Sequence, residues 1–185
     1  LQFVVDRVET DGLLEIVTGH EWAPGGYAWL FPKGHGYAEV GLGVIRTMTQ
    51  ENAQWHLDHF IQNSFLKKRL QHARILELHG GGVPLAAPLR TQYAPNLILV
   101  GDAARHVNPI TGGGLHTALT GGLIAGKFLA GLIHAGKPGT AENLRGYQEL
   151  WLEKLGNKMW QLFETKKAIF KMKDIALRNQ KLYET

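Results

Sequence analysis

Apolar positions in the first forty residues repeat with a period of two. Leu1–Val8 and Leu13–Thr18 are rich in Val, Ile, Leu and Phe, with Asp11-Gly12 between them; this pattern predicts two strands joined as a hairpin. Tyr27-Ala-Trp-Leu-Phe-Pro32 alternates aromatic with smaller apolar residues, so Tyr27, Trp29 and Phe31 share one face of a third strand. Lys33-Gly34-His35-Gly36 is a turn, and Tyr37–Val44 is the returning strand.

The period then lengthens. Ala53, Leu57, Phe60 and Ile61 predict a helix over Thr49–Asn63, capped by Thr47 or Thr49. Arg74–His79 is a further strand, broken by Gly80-Gly81-Gly82-Val83-Pro84. Val83–Pro95, with Pro84, Pro88 and Pro95, is an irregular crossing. Leu97–Val100 is an unbroken apolar run, the pattern of a buried strand.

A helix from Gly114 to about His134 follows, with Leu115, Ala118, Leu119, Ala125, Leu129, Leu132 and Ile133 as its apolar set. It is nearly long enough to span a membrane. His116, Lys127 and its glycines favour a helix buried against a sheet instead. Gly136-Lys-Pro-Gly139 stops it. Thr140 caps the next helix, whose apolar set is Leu144, Tyr147, Leu150, Trp151 and Leu155. The basic stretch 157–185 is helical in pattern, with Trp160, Phe163, Ile169, Phe170, Met172, Ile175 and Leu177. Packing on the body of the protein is favoured there over lying on a membrane surface.

Composition narrows the chemistry. At 185 residues, 44% hydrophobic and 19% charged, the chain can bury a core. It has no cysteine, which excludes disulfides, thiolate catalysis and cysteine-held metals. A net charge of +4 is too mild for a nucleic-acid footprint, and Lys67-Lys68-Arg69 reads as a solvated face. His56 and His59 flank Asp58 on one helix, but no His-Glu-x-x-His pattern accompanies them, so no metal is expected. Gly121 to Gly126-Lys127 imitates a phosphate loop. Phe128 stands where Ser or Thr is required, and the segment lies inside a helix. No Gly-x-Gly-x-x-Gly is present, and the chain begins at Leu1 without a signal peptide.

The chemistry-bearing stretch is 96–119: an apolar strand, Gly101-Asp102-Ala-Ala, Asn108-Pro109, Gly112-Gly113-Gly114, then the long helix. Open α/β sheets build ligand sites at such strand ends. Asp102 can accept a hydrogen bond from a ribose hydroxyl. The three glycines let a flat ring approach backbone N–H groups at a positive helix end.

This order resembles the second flavin-binding motif of FAD-dependent enzymes with the p-hydroxybenzoate-hydroxylase fold. Within that group the chain is most similar to the geranylgeranyl reductases. The family pattern Tyr-x-Trp-x-Phe-Pro, seven or eight residues, Gly-x-Gly is matched by Tyr27, Trp29, Phe31, Pro32, Gly41 and Gly43. The resemblance covers about residues 20–135.

It implies an α/β (α+β) fold: an antiparallel substrate-domain sheet, the last strand and long helix of an FAD domain, and C-terminal helices. The corresponding boundaries are 1–82, 83–136 and 137–185. It implies FAD contacts from Gly101, Asp102, Pro109, Gly112, Gly113, Gly114 and Leu115. It also implies a substrate cavity lined by Tyr27, Trp29, Phe31, Pro32, Gly41 and Gly43.

The family places its dinucleotide fingerprint near the N-terminus, so about half of the enzyme is expected to be missing and flavin to be absent or weakly held. The implied reaction is reduction of carbon–carbon double bonds in an isoprenoid lipid or prenylated pigment. NAD(P)H or ferredoxin is the electron donor, in the cytoplasm with peripheral membrane contact. The catalytic acid is unassigned; Tyr27 and His116 are bare candidates. The rival readings are a monooxygenase or halogenase of the same fold, and a flavin-free module that binds apolar ligands.

Overall fold

The computed structural model describes residues 1–171, which fall into two compact units, Leu1–Gly82 and the residues from Val83 on. The expected tail helix positions Met172, Ile175 and Leu177 lie outside the described residues.

The first unit is one antiparallel sheet with a helix on it. Its strands are β1 (Gln2–Asp6), β2 (Glu15–Thr18), β3 (Tyr27–Gly34), β4 (Tyr37–Leu42) and β5 (Arg74–His79), in the order β2-β3-β4-β1-β5. The β3–β4 hairpin turns through His35 (φ 53°) and Gly36 (φ 78°). Two consecutive left-handed residues match the right-handed twist of the strands.

The expected β1–β2 hairpin does not form. β1 pairs with β4 and β5, while β2 pairs with β3. Arg7 (φ 60°) turns the chain out of β1, and the Val8 N–H donates to the Gly36 carbonyl (3.1 Å), carrying the connection past the β3–β4 turn. Burial of Phe3 and Val5 beside Val40 and Ala38 favours the central position for β1.

The core face gathers Phe3 and Val5 from β1, Ala28 and Leu30 from β3, and Ala38, Val40 and Leu42 from β4. Leu57 and Phe60 of α1 (Ala53–Asn63) cover it, with Leu66 and Leu70 at the short helix α2 (Lys67–Leu70). Each large side chain removed from water here contributes ~1.5–3 kcal/mol. The cap of α1 is Asn52, whose Oδ1 accepts from the Trp55 N–H (2.8 Å), rather than Thr47 or Thr49. The Thr49 hydroxyl is engaged elsewhere: it accepts from the Glu51 N–H and meets Nε2 of His56 at 2.7 Å.

The second unit opens with irregular chain and a small ladder of β6 (Tyr93–Ala94) with β7 (Leu97–Ile98). Leu97–Val100 is therefore not a buried strand. Only its first two residues pair, on one edge, and Leu97 and Val100 are exposed. A parallel strand is buried only when neighbours cover both its faces; among the described residues Ile98 packs on the Tyr147–Trp151 core, while Leu97 and Val100 stay uncovered.

Helix α3 (Leu115–His134) runs over the expected span. It is not buried against a sheet: Leu115, Leu119, Leu123 and Ile133 are 78%, 67%, 58% and 73% exposed. By length and composition, with a mean hydropathy of 1.2 over eighteen residues, it could cross a membrane.

One face of α3 packs on α4 (Ala141–Trp151). Ala125 joins Tyr147, Trp151 and Met159 in a second core, and Phe128 lies over Gly146, where a Cβ would come within 2.9 Å of the ring. Thr140 caps α4, its hydroxyl accepting from the Asn143 N–H (3.3 Å). Leu150, expected among the apolar contacts, is exposed. A π turn (Leu152–Gly156) links α4 to α5 (Asn157–Phe170), with bare Gly156 against the Trp151 ring. α5 packs on the chain near Leu85–Arg90: Lys166 Nζ donates to the Leu85 carbonyl (2.9 Å), and Arg90 stacks over Trp160.

Candidate functional site

In the second unit, the acidic turn and the glycine-rich helix start come together. Gly101–Ala104 is a 3-10 turn entered through left-handed Gly101 (φ 61°) and left through Arg105 (φ 58°). Asp102 is exposed at its top. The next loop is shaped by Asn108, whose Oδ1 accepts from the Ile110 and Thr111 N–H groups (2.9 and 3.2 Å) around buried Pro109. Gly112 (φ 76°) then turns the chain into α3, its N–H donating to the Asn108 carbonyl (2.9 Å).

A Cβ on Gly114 would lie 3.3 Å from Asp102 Oδ1, so the carboxylate sits beside the helix start. No side chain caps that start. A helix leaves its first N–H groups without intrahelical acceptors, and here they open next to an acid. Bare backbone donors beside a hydroxyl-accepting carboxylate fit the polar edge of a flavin. Because Asp102 lies at that same helix start, the hydroxyl it fits is one of the ribityl chain next to the ring rather than the ribose expected from the sequence. Leu115, the first helical residue, is exposed there, and so is His116.

Sequence reasoning missed what supports this turn. His106 is fully buried. Its backbone N–H donates to the Gly101 carbonyl (2.9 Å), and its ring Nδ1 accepts from the Gly101 N–H (3.2 Å). With Nδ1 accepting, the ring proton is on Nε2, which donates to Gln92 Oε1 (2.9 Å). The Gln92 N–H donates in turn to Gln148 Oε1 (2.8 Å), and Gln148 Nε2 donates to the Arg90 carbonyl (3.0 Å).

The imidazole stacks on Trp151 (4.4 Å, 14°) and abuts Gly121 of α3, where a Cβ would lie 2.7 Å from Nδ1. The Thr117 hydroxyl lies against the His106 and Gly114 carbonyls, joining the turn to the helix start. The Tyr147 hydroxyl donates to the Leu99 carbonyl (3.0 Å), and burial pushes its pKa up to about 12. Burial lowers the His106 pKa to about 4, so the ring is neutral. The only sequence signal for this cluster was a glycine inside a helix, which marks a close approach without naming the partner.

In the first unit, Tyr27, Trp29 and Phe31 line the face of β3 opposite its buried Ala28 and Leu30. They form a continuous stripe, with ring centroids 5.8 Å and 5.9 Å apart. None belongs to the packed core cluster. Trp29 is paired across the sheet with Gly41, where a Cβ would lie 2.6 Å from the indole and 2.8 Å from the Leu1 carbonyl. Trp29 Nε1 is out of contact with solvent and has no hydrogen-bond partner.

The Gly43 N–H donates to the Tyr27 carbonyl (3.0 Å), and Pro32 faces Ala38. Gly41 thus makes room for the indole, while Gly43 continues the ladder. His56 is held by Thr49, and His59 lies flat against Trp55 (5.0 Å, 7°). Among the described residues no His, Asp and Glu side chains gather as a metal site.

A model of the geranylgeranyl reductase catalytic domain matches residues 1–83. Over 174 residues the chain is 38% identical to a digeranylgeranylglycerophospholipid reductase of Methanothrix thermoacetophila, covering 94% of this chain and 43% of that protein. A protein of the same name from Methanocaldococcus jannaschii is 38% identical over 162 residues, covering 88% and 40%. The chain therefore spans about two fifths of the length of the curated relatives it matches.

Among solved structures, a geranylgeranyl bacteriochlorophyll reductase-like protein of Thermoplasma acidophilum superposes with a TM-score of 0.81 at 29% identity, over 97% of this chain and 44% of that one. A flavin-dependent brominase reaches 0.60 at 16% identity, over 98% and 48%, a likeness of fold alone. The architecture is of the p-hydroxybenzoate-hydroxylase type.

Proposed function

The chain belongs to the geranylgeranyl reductase family, and from that premise we propose that the protein containing it is an FAD-dependent oxidoreductase. It reduces carbon–carbon double bonds in the geranylgeranyl chains of a lipid. In this reading residues 1–82 form the substrate side, 83–136 contribute to the flavin side, and the helices within 137–171 support it. The electrons come from NAD(P)H or ferredoxin, and the protein works in the cytoplasm, touching the membrane surface peripherally.

The observation that carries the reading is the aromatic stripe of β3. A strand normally turns its largest apolar groups inward. Here the core side of β3 holds Ala28 and Leu30, while Tyr27, Trp29 and Phe31 stand on the other side with Gly41 kept bare for the indole. Such a face suits an extended hydrocarbon. Each methylene it removes from water contributes ~0.8 kcal/mol, so a long prenyl chain is held without many polar contacts.

Bound FAD would supply the hydride for the reduction. Asp102 would accept from a ribityl hydroxyl. The N–H groups at the start of α3 would face the flavin's polar edge, where a helix end contributes ~0.3–1 kcal/mol toward negative charge. At ~1.4 kcal/mol per ~30 mV for a two-electron couple, that helix end adjusts the redox potential without setting it.

The test is anaerobic incubation of the full-length protein with a reductant and a digeranylgeranyl phospholipid, read by mass spectrometry. Gain of one H2 per double bond is expected. Oxygen-dependent hydroxylation or halogenation instead, or a colourless full-length protein, would overturn the proposal.

A further inference from the structure

His106 sits where four segments meet. The acidic turn reaches it through Gly101, the start of α3 through Thr117 and Gly121, α4 through Trp151, and the irregular chain before β6 through Gln92, which Gln148 of α4 holds in turn. Two hydrogen bonds clamp Gly101 to His106: one uses the His106 backbone N–H and the other its ring Nδ1. Gly101 is left-handed and leads directly into Asp102, so its orientation aims the carboxylate.

The ring cannot turn over without breaking both of its bonds. Nε2 is tied to Gln92, one ring face is closed by Trp151, and Gly121 leaves the ring no more room than it occupies. The neighbours are amides, an indole, a hydroxyl and bare backbone. This explains why burial is the cause of the depressed imidazole pKa.

We propose that His106 is a positioning residue for flavin binding. Its neutral ring holds Gly101, and through it Asp102, in the orientation that receives a ribityl hydroxyl, and α4 serves as the buttress behind the ring. The inference rests on the flavin reading above. His106 touches no ligand in this account and acts through the turn.

The substitutions that test it are His106→Asn and His106→Leu. Both remove the stack on Trp151 and the bond to Gln92. The Asn Oδ1 stands at the same bond distance from Cβ as Nδ1, so it can still accept from the Gly101 N–H, whereas Leu, of similar shape, cannot.

Two readouts are taken on the full-length protein: the FAD dissociation constant by fluorescence titration, and amide hydrogen exchange across residues 100–106. The Leu variant is expected to weaken FAD about tenfold and to speed exchange at Gly101. The Asn variant is expected to stay within about threefold of the parent in affinity, although its melting temperature is no higher than that of the Leu variant.

Equal affinities in the two variants would overturn the proposal, leaving His106 as core packing and the flavin reading intact. Faster exchange in the Leu variant with unchanged FAD affinity would also overturn it. Asp102→Ala separates the two levels: if this substitution leaves FAD binding unaltered, the flavin reading of the turn fails, and the positioning role fails with it.

Discussion

Adding one methyl group inside α3 should have opposite effects at two adjacent positions. Gly121 and Gly122 are neighbours in the same helix. Alanine is favoured over glycine in a helix interior by ~1 kcal/mol. A Cβ at Gly122 meets nothing within 4 Å, so Gly122→Ala should stabilise by about 0.5–1 kcal/mol.

A Cβ at Gly121 would lie 2.7 Å from Nδ1 and 3.1 Å from Cε1 of His106, and ordinary contact needs 3.4 Å or more. The ring has nowhere to withdraw, because Trp151 is stacked on it at 4.4 Å and Gln92 holds Nε2. Overpacking of this kind costs ~1–3 kcal/mol. Loss of the Gly101 bond to Nδ1 adds ~1 kcal/mol. Set against the helix gain, Gly121→Ala should destabilise by about 1–3 kcal/mol. The two variants should therefore differ by about 1.5–4 kcal/mol in denaturant unfolding followed by tryptophan fluorescence, with Gly126→Ala behaving like Gly122→Ala. Equal stability of the two variants would refute the placement of His106 against α3.

Stability should also follow pH through His106, whose pKa falls from an ordinary 6.5 to about 4 on folding. Above 6.5 its contribution is complete; between 6.5 and 4 the unfolded chain takes up a proton that the folded chain does not, and stability falls by ~1.4 kcal/mol per pH unit, about 3 kcal/mol in all. Buried His56, lowered chiefly by burial, adds a loss of the same sign, so the measurement is the difference in slope between the parent and His106→Asn; identical slopes would remove His106 as the cause. In the first unit, Gly41→Ala should cost about 1–3 kcal/mol and change the near-ultraviolet signal of Trp29, whereas Gly43→Ala, which meets nothing within 4 Å, should shift stability by under ~0.5 kcal/mol. Trp29→Ala in the full-length protein should impair prenyl reduction while FAD content stays constant; loss of flavin would make Trp29 a structural residue.

Legibility followed distance along the chain. The β3–β4 hairpin was readable because its alternation and its His35-Gly36 turn are local, and a two-residue left-handed turn suits the strand twist; the one-residue register shift between Pro32 and Gly34 was not readable. The span of α3 and the cap of α4 were readable for the same reason: glycine and threonine act on backbone within one turn. The acidic turn and the three glycines were readable as one constellation because a short loop joins them. Asn52 displaced the threonines as the cap of α1 because Thr49 found other partners, which a propensity argument does not see.

The amino-acid order by itself determined the periodic elements, the glycine punctuation and the family motifs, all set by interactions within a few residues. Only the tertiary structure decided that β1 lies between β4 and β5, that the aromatic stripe stands off the core, that α3 keeps most of its apolar side uncovered among the described residues, and that an unremarked histidine supports the acidic turn. Each of those depends on pairings such as Gln92 with Gln148, fifty-six residues apart. The loop-closure entropy of such a contact is repaid only when many others form together, so no local window of sequence contains it.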